Sequence, residues 1–366
     1  MDRLEAVSRA KRIVMKIGSQ ILQKEDYLDR DFIENLGKDI YRNKEREFII
    51  VSSGAVLAGI KKLGLSFKPK TITEKQAVAS VGQASLIETY DGIFSKIGLT
   101  IGQMLLTVEG LQDRRRYIYA KNTLNKLIEL GVVPIINEND AIAVSEIVFG
   151  DNDFLASHVS LMSDANLLII LSTAGGLYTD EPANPNSKLI SQIEYIDDAL
   201  FYAKASKSIY GSGGMRSKLE ASKIVSDHGI PVIIAPKMED VLSKILSGED
   251  IGTYIKPSTK RGSQKKSWLK LLSYPKGKIY IDKGAEKAVK SGKSLLPSGI
   301  TEVEGVFKSK DVVAIADVEG NIIGKGIVNF DHKELSKIKG LKTVKATEIL
   351  GKKVNEAIHT DNMVVF

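Results

Sequence analysis

Short apolar runs with the character of β-strands alternate with amphipathic, helix-like stretches from the N-terminus of this chain to Pro257. The runs are RIVMKIG, EFIIVSSG, GLTIGQMLLT, GVVPIINE, NLLIILST and IPVIIAP. Such alternation predicts an α/β fold with a mostly parallel sheet covered on both faces by helices. Several runs end in a polar or glycine-rich turn, and open α/β sheets usually bind ligands at the carboxyl ends of their strands. We therefore expect a ligand site at that edge of the sheet.

The character of the sequence changes after Pro257. Residues 258–276 carry many Lys and Arg and no Asp or Glu, which favours a basic linker. Beyond them, short strand-like pieces dominate: KIYID, EGVFK, DVVAIADVEGNIIGKGIV and MVVF. The sequence thus predicts a large α/β domain over residues 1–257, a linker over 258–276 and a second, smaller β-rich domain over 277–366.

Composition excludes several classes of protein. The 366 residues are 43% hydrophobic and 27% charged, as in an ordinary globular chain with room for two cores. The absence of cysteine removes disulfide frameworks and thiolate metal sites, and four scattered histidines argue against zinc. No apolar run reaches the roughly 18–20 residues of a membrane span, and the N-terminus lacks the apolar core of a signal peptide. We expect a cytoplasmic protein that does not contact a membrane.

The net charge of +7 and the pI near 9.1 permit attraction to anionic substrates or to nucleic acid. Much of the excess is scattered lysine on helices that are predicted to be solvated. Specific nucleic-acid binding is therefore not expected from charge alone.

Two segments that contain lysine and glycine are candidates for phosphate binding. In IVMKIGS, Lys16 ends an apolar strand and Gly18 follows, so the lysine can neutralise phosphoryl charge while backbone N–H groups approach phosphate oxygens. In GSGGMRSK, a glycine-dense loop leads into a helix that begins near Lys218, although neither the Walker A spacing nor G-x-G-x-x-G is present. Each segment also has a simpler interpretation, a solvated lysine beside a turn glycine in the first and a flexible connector in the second.

Three further turns bring polar side chains to predicted strand ends. VSSGAVLAG places Ser52, Ser53 and Gly54 at a helix start, where N–H groups can hold a carboxylate or phosphate; an ordinary serine N-cap is the alternative. INENDA and GDND follow the strand VVPII with acids and amides that can bind an ammonium group, orient a lysine or hold Mg²⁺ through water. The alternatives are a calcium loop, whose D-x-[DN]-x-[DN]-G pattern is not matched, and a turn that N-caps the helix DFLASHVSLM. The candidates in these two turns are Asn137, Glu138, Asn139, Asp140, Asp151, Asn152 and Asp153.

Taken together, these segments resemble the amino acid kinase family, and within it the members that phosphorylate L-glutamate. The resemblance runs almost end to end, through VSSGAVLAG, KQAVASVGQ, GQMLLT, VVPIINENDA, GDND, GLYTDEP, GSGGMRSK and SLLPSGI. The combination of GQMLLT, INENDA and GDND is far more specific than any single loop. The resemblance implies an amino acid kinase fold to about Pro257 and a PUA domain from about Gly277.

The implied reaction converts MgATP and L-glutamate into ADP and L-glutamyl 5-phosphate, the first step of proline biosynthesis. Because a γ-carboxylate is already ionised at neutral pH, the site needs no general base and must align two anions and screen their repulsion. By this resemblance Lys16 and Lys218 supply the screening and Asp153 holds both lysines in place. No protein ligand is assigned to Mg²⁺.

The resemblance also assigns binding residues. Glutamate would be bound by Ser53, Gly54, Asn137, Asp140, Asp151 and Asn152, with Asp140 suited to the α-ammonium group. The nucleotide would be bound by Lys16, Ser172, Thr173, Ser212, Gly213, Gly214, Met215, Arg216, Ser217 and Lys218. Two departures concern the nucleotide: Thr173 stands where the family commonly has aspartate, and Glu181 with Pro182 replaces the usual Asp-Pro pair. We expect these to alter ATP affinity or nucleotide preference and not to abolish activity.

Three expectations about partners follow from the same resemblance: feedback inhibition by proline at or near the glutamate site, a homo-oligomer (a dimer or tetramer) formed through the kinase domain, and hand-over of the labile acyl phosphate to glutamyl phosphate reductase. Two alternatives stay open. One is a kinase of another small acid, such as acetylglutamate or aspartate. The other is an RNA-binding or RNA-modifying protein that uses the PUA domain, against which stands the lack of an obvious row of aromatic residues for stacking bases.

Overall fold

The computed structural model describes residues 1–25, 27–143, 152–205, 214–258, 264–271 and 273–366. Contacts divide the chain into two compact units, one formed by Met1–Leu111 and Arg115–Arg261 and the other by Gln112–Arg114 and Gly262–Phe366. Within the described ranges, no helix combines the length and the apolar character that a membrane crossing requires.

The chain up to residue 258 alternates between helices and strands. Its helices are α1 (Arg3–Arg9), α2 (Ser19–Leu22), α3 (Arg30–Arg42), α4 (Ala55–Lys62), α5 (Ile72–Ile97), α6 (Val108–Gln112), α7 (Arg114–Glu129), α8 (Asp153–Met162), α9 (Ile196–Ala205), α10 (Met215–Ser226) and α11 (Val241–Leu246). Its strands are β1 (Arg12–Ile17), β2 (Gln23–Lys24), β3 (Tyr27–Leu28), β4 (Glu47–Ser52), β5 (Ile101–Leu106), β6 (Val133–Glu138), β7 (Leu167–Ser172), β8 (Leu177–Tyr178), β9 (Leu189–Ile190), β10 (Gln192–Ile193), β11 (Val232–Pro236) and β12 (Thr253–Ile255).

Among the described residues, eight strands form one sheet in the order β10-β12-β11-β7-β1-β4-β6-β5. The neighbours from β11 to β5 are all parallel, and β12 runs antiparallel to β11. The predicted mostly parallel sheet is confirmed, and each of the six predicted apolar runs contains one of its strands. In the register, Ile17 of β1 pairs with Ser52 of β4 and with Leu171 of β7. The carboxyl ends of these strands therefore lie at one edge of the sheet.

Helix α3 shows how the sequence covers this sheet. Phe32, Ile33, Leu36 and Ile40 recur at helical spacing, and all four are buried in the core of the sheet and its helices. Asp29 precedes the helix, and its carboxylate accepts the backbone N–H of Phe32, which satisfies a donor that the first turn leaves open.

Helices α4 and α5 approach each other so closely that two glycines are required at their contact. A Cβ atom at Gly82 would lie 1.8 Å from the carbonyl oxygen of Ala55. A Cβ atom at Gly59 would lie 2.0 Å from the carbonyl oxygen of Val78. No side chain fits in these spaces, so the two backbones are in direct contact beside the Ser53–Gly54 turn.

We expect Gly82→Ala to lower the free energy of unfolding by about 2–3 kcal/mol, because the two helices must separate against a packed core. Thermal unfolding followed by circular dichroism would measure this loss. The matched control on the same helix is Gly92→Ala, whose added Cβ has nothing within 4 Å. Better helix propensity should leave that variant neutral or stabilised by about 0.5–1 kcal/mol. Equal melting temperatures for the two variants would argue against the glycine contact as described.

The C-terminal part of the chain forms a separate mixed sheet. Its elements are helices α12 (Gln264–Leu271), α13 (Lys283–Lys290), α14 (His332–Ile338) and α15 (Thr343–Leu350) and strands β13 (Gly277–Ile281), β14 (Ile300–Gly305), β15 (Val312–Ala316), β16 (Ile322–Ile327) and β17 (Met363–Val365). The strand order is β14-β13-β15-β16-β17, in which only the β13–β15 pair is parallel among the described strands. Its own core includes Ile279, Val313, Ile315 and Leu335.

Two local features of this part differ from the sequence pattern. The strand predicted at EGVFK is wrong: β14 covers ITEVEG and ends at Gly305, whose φ of 87° is left-handed and interrupts an extended strand. Helix α12 lies within residues 258–276, where the sequence predicts a basic linker.

Candidate active site

Three buried charged side chains meet at the carboxyl end of β1. The Nζ atom of Lys16, on β1, lies 2.8 Å from Oδ1 of Asp153, the first residue of α8. The Nζ atom of Lys218, on α10, lies 3.1 Å from the other carboxylate oxygen, Oδ2. Lys16 and Asp153 have no exposed surface, and Lys218 is 6% exposed. One carboxylate therefore holds two ammonium groups, and this charge cluster of Lys16, Asp153 and Lys218 carries a net positive charge.

Electrostatics keep the carboxylate of this cluster ionised. Burial alone would raise the pKa of Asp153, but the two neighbouring lysines outweigh burial and lower that pKa below its usual value. Asp153 also occupies the first turn of α8, where the helix dipole favours negative charge. The Oγ atom of Ser217 donates a further hydrogen bond to Oδ2 of Asp153, at 3.0 Å. The carboxylate is thus a fixed anchor that sets the positions of both lysines.

Helix α10, which carries Lys218, begins without a side-chain cap, so backbone N–H groups of its first turn can donate to an anion. Gly214 is its N-cap residue, and with no side chain it cannot cap the first-turn N–H groups. The guanidinium of Arg216 pairs with Glu220 on the exposed side of the helix, 2.8 Å away. Ser212 and Gly213, which were assigned to the same loop, lie outside the described residues.

Asn152 connects the charge cluster to two strand ends. It occupies the N-cap position of α8, yet its side chain makes no capping hydrogen bond. Its Nδ2 group instead lies 2.9 Å from the carbonyl oxygen of Ser52, 3.1 Å from Oγ of Ser53 and 2.7 Å from Oδ1 of Asn137. The interpretation of GDND as a capping turn is therefore right for the position of Asn152 and wrong for its side chain. Asp151 lies outside the described residues.

The turn after β4 is shaped by glycine. Gly54 is the N-cap residue of α4 with a φ of 105°, a left-handed conformation, so the alternative of a serine N-cap is wrong. The Oγ atom of Ser52 lies 3.1 Å from the hydroxyl of the fully buried Tyr90, on α5. The backbone N–H of Ser53 donates to the carbonyl oxygen of Ile17. The turn is thus tied to both β1 and α5.

Three carboxylates lie at the end of β6 and beside it. Burial, followed by repulsion from Asp140 and Glu109, raises the pKa of Glu138 from 4.5 to about 7. Burial likewise raises the pKa of Asp140. Among the described residues, no ion pair joins Glu138 or Asp140 to a cation, and a ligand that carries an ammonium group would supply one.

Glu138→Gln should stabilise the protein by about 1–3 kcal/mol at pH 8. Water reaches the partly buried side chain and screens its charge, so the gain is smaller than the raised pKa of Glu138 alone would give. The folded state keeps the Glu138 proton up to about pH 7, whereas the unfolded chain releases it near pH 4.5. Between these values the folded state binds more protons, so the wild-type protein loses stability as the pH rises. Denaturant unfolding at pH 5 and pH 8 would test this, and a variant with no more advantage at pH 8 than at pH 5 would contradict it.

The turn after β7 reaches the same edge of the sheet. Ser172 is buried and pairs in register with Pro236 of β11, whereas Thr173 is exposed. Gly175 closes the turn in a left-handed conformation, with its N–H donating to the carbonyl oxygen of Ser172. The structure thus brings two bonded groups into one network through the adjacent residues Asn152 and Asp153: Ser53, Asn137 and Asn152 in the first group, and Lys16, Asp153, Ser217 and Lys218 in the second. In the described part of the chain, no hydrogen bond joins Ser172 or Thr173 to that network.

Two residues in contact with this network were not predicted from the sequence pattern. Gln83 and Tyr90 lie seven residues apart on α5, which places them on one face of the helix. Gln83 accepts a hydrogen bond from Asn137, and Tyr90 contacts Ser52. A polar residue and a tyrosine at this spacing on an otherwise apolar helical face were the available signal.

Comparison with known families gives two matches along the chain. The model of the amino acid kinase family matches residues 11–236, and the model of the PUA domain matches residues 277–350. The glutamate 5-kinase of Aquifex aeolicus is 48% identical to this chain over 360 residues, which cover 97% of this chain and 99% of the relative. The glutamate 5-kinases of Syntrophotalea carbinolica and Thermus thermophilus are 42% and 40% identical, and the alignments cover 99% and 97% of each chain.

A solved structure shares the fold of the larger unit. Carbamate kinase from Giardia lamblia bound to AMP-PNP superposes with a TM-score of 0.50 at 15% sequence identity, covering 69% of this chain and 100% of that chain. At this identity the likeness concerns the fold alone.

Proposed function

Because this chain belongs to the amino acid kinase family, and within it to the glutamate 5-kinases with a C-terminal PUA domain, we infer that it catalyses the first step of proline biosynthesis. In that step the γ-phosphoryl group of ATP passes to the γ-carboxylate of L-glutamate, which yields L-glutamyl 5-phosphate and ADP. The near full-length similarity to glutamate 5-kinases carries this conclusion. The charge cluster at the carboxyl end of β1 supplies matching chemistry.

The chemical task is to bring two anions together. The attacking carboxylate needs no deprotonation at neutral pH, so catalysis rests on alignment and on neutralising charge that spreads over the transferred phosphoryl group. We assign that neutralisation to Lys16 and Lys218, whose ammonium groups are buried and therefore act in a medium of low dielectric constant. Asp153 fixes both ammonium groups, so they need no reorganisation when charge develops.

The glutamate side of the site is assigned to the network around Asn152. Asn137, Ser53 and Asn152 are held together by hydrogen bonds, and Gly54 leaves room beside them. Asp140 suits the α-ammonium group, because a cation would offset the burial that raises the pKa of this carboxyl. Asp151 is assigned to glutamate binding only because the sequence resembles the family.

The nucleotide is assigned to the opposite side of the charge cluster. Its phosphates would face the start of α10, through Gly214, Met215, Ser217 and Lys218, with Ser172 and Thr173 near the rest of the nucleotide. Arg216, Ser212 and Gly213 belong to this assignment on the resemblance.

Mg²⁺ enters the proposal as part of MgATP. Both oxygens of Asp153 are occupied by lysines, and the described residues hold no group of three or more His, Cys, Asp or Glu arranged for a metal. The side chains present therefore fit a metal carried by the nucleotide phosphates better than one held by the protein.

Asp140→Asn should raise the KM for glutamate by about 10- to 100-fold and change kcat by less than about threefold, because it weakens a charge-assisted contact made before and during the reaction. Glutamate saturation curves at fixed MgATP would measure both constants. The control is Asp164→Asn, an exposed residue with a φ of 57° that asparagine tolerates well. A higher KM for ATP with an unchanged KM for glutamate would remove Asp140 from the substrate site.

Further parts of the proposal concern partners and organisation. We propose inhibition by proline at the glutamate site, hand-over of the acyl phosphate to glutamyl phosphate reductase, and a cytoplasmic location, where both substrates are made. A homo-oligomer is proposed through the larger domain, in which β5 is an edge strand of the sheet formed by the described residues and exposes Leu105. We also propose that the amino acid kinase domain spans residues 1–257 and the PUA domain residues 277–366, with a linker over 258–276.

The direct test is glutamate-dependent ADP release with MgATP and hydroxylamine, which traps an acyl phosphate as a hydroxamate. Hydroxamate formed with glutamate and not with acetylglutamate or aspartate would support the reaction and the substrate. Its loss when proline is added would support feedback control. Absence of hydroxamate with every acid would overturn the proposed function.

A further inference from the structure

Gln83 stands at the end of a chain of hydrogen-bonded amides that leads into the site. It lies on α5, half-buried, and its Oε1 atom is 2.7 Å from Nδ2 of Asn137. Asn137 is 2% exposed, and its Oδ1 atom is 2.7 Å from Nδ2 of Asn152. The amide chain Gln83–Asn137–Asn152 thus joins helix α5 to the N-cap residue of α8.

The direction of every bond in this amide chain follows from one backbone group. The N–H of Glu138 lies 2.8 Å from Oδ1 of Asn137, and a backbone N–H can only donate. Asn137 must therefore present its oxygen to Glu138 and to Asn152, and its Nδ2 group to Gln83. Gln83 in turn must present its oxygen, because Asn137 offers only a donor on that side.

The hydrogen bonds of Asn152 decide which of its side-chain atoms faces a ligand. Its Nδ2 group already serves Ser52, Ser53 and Asn137. Its Oδ1 atom makes no hydrogen bond within the described residues. An acceptor in that position suits the α-ammonium group of an amino acid, whereas a flipped amide would present a donor and repel it.

Packing contacts fix helix α5, which carries Gln83 at one end of the amide chain. Gly82, the residue before Gln83, lies in backbone contact with Ala55 of α4. Two turns further along the same face, Tyr90 contacts Ser52. The position of Gln83 is therefore set by packing and not by the amides that it contacts.

We propose that Gln83 is a positioning residue for glutamate, which orients the amide of Asn137 and through it the acceptor oxygen of Asn152. This inference rests on the proposed function, since it takes glutamate to be the ligand of Asn152. Without Gln83, the Nδ2 group of Asn137 loses its acceptor, and a buried donor without an acceptor favours a shift of the Asn137 side chain, which weakens the hold of its Oδ1 atom on Asn152.

Gln83→Leu removes the acceptor and keeps good helix propensity. We expect the KM for glutamate to rise about tenfold, with kcat and the KM for ATP within about twofold of the wild type. Thr89→Val is the matched control, because Thr89 is also half-buried on α5 and its hydroxyl bonds only to the carbonyl oxygen of Ser85. Both variants should have similar melting temperatures, and only Gln83→Leu should change the KM for glutamate.

A double-mutant cycle with Asn137→Ala separates action through Asn137 from a direct or merely structural role. In the Asn137→Ala background, Gln83→Leu should change the KM for glutamate by less than twofold. A tenfold effect that persists in that background would overturn the proposal, as would an unchanged KM in the single variant. Failure of the wild-type protein to form hydroxamate from glutamate would instead count against the proposed function.

Discussion

Replacing Lys218 by Met should lower kcat by about 100- to 1000-fold and change the KM for glutamate by less than about threefold. Lys218 is 6% exposed and its Nζ atom lies 3.1 Å from the carboxylate that anchors it, so the ammonium group is already in place when charge develops on the phosphoryl group. Methionine keeps the length of the side chain and removes the charge. Steady-state kinetics of ADP release, with glutamate and MgATP varied separately, would measure the change.

The same substitution should leave the fold nearly intact. Asp153 retains Lys16 at 2.8 Å, so Lys218→Met converts a cluster with a net positive charge into one neutral ion pair. Lys223→Met is the control on the same helix, since Lys223 pairs with Asp197 and Asp227 at the surface. It should keep kcat within about twofold. An unchanged kcat with a raised KM for ATP in Lys218→Met would mean that the lysine only binds the nucleotide.

Asp153→Asn should produce the largest loss of stability, about 3–5 kcal/mol, together with loss of activity. The change leaves the buried ammonium groups of Lys16 and Lys218 close together without the carboxylate that holds them. Removing one partner of a buried ion pair is among the most destabilising changes in a protein. Chemical denaturation at neutral pH would measure the difference in the free energy of unfolding.

A second variant tests the cause of that loss. Lys16→Met combined with Asp153→Asn removes one of the two buried ammonium groups and the repulsion between them. The double variant should therefore be more stable than Asp153→Asn alone, although it has lost one more native side chain. If the double variant were the less stable of the two, packing and not charge would explain the effect.

Much of the fold could be predicted because strands and helices are encoded locally. Ile13, Val14 and Met15 are apolar at consecutive positions, as expected of a strand buried on both faces, and they lie in β1. The failure at EGVFK has a local cause as well. Gly305 ends the strand in a left-handed conformation, and a sequence does not show whether a glycine adopts it.

The site could be predicted in part, for the same reason. Lys16, Asp153 and Lys218 stand out because each lies near the end or the start of a regular element, at the edge of the sheet where open α/β sheets usually bind ligands. Their mutual contacts could not be predicted, since Asp153 and Lys218 are 65 residues apart in sequence. The resemblance to a family, and not the pattern of residues, named Asp153 as the group that holds both lysines.

The sequence by itself determined the order of strands and helices and the glycine and serine turns that follow them, and it indicated which lysines and glycines are candidates for phosphate binding. Tertiary structure alone decided that Asn152 bonds to Ser52, 100 residues away, and that Gln83 orients Asn137. It also decided that Gly82 is needed for backbone contact. The reason is physical: periodicity along a chain specifies which face of an element is buried. The partner and direction of a hydrogen bond depend on distances and angles between elements, and these exist only after the elements have packed.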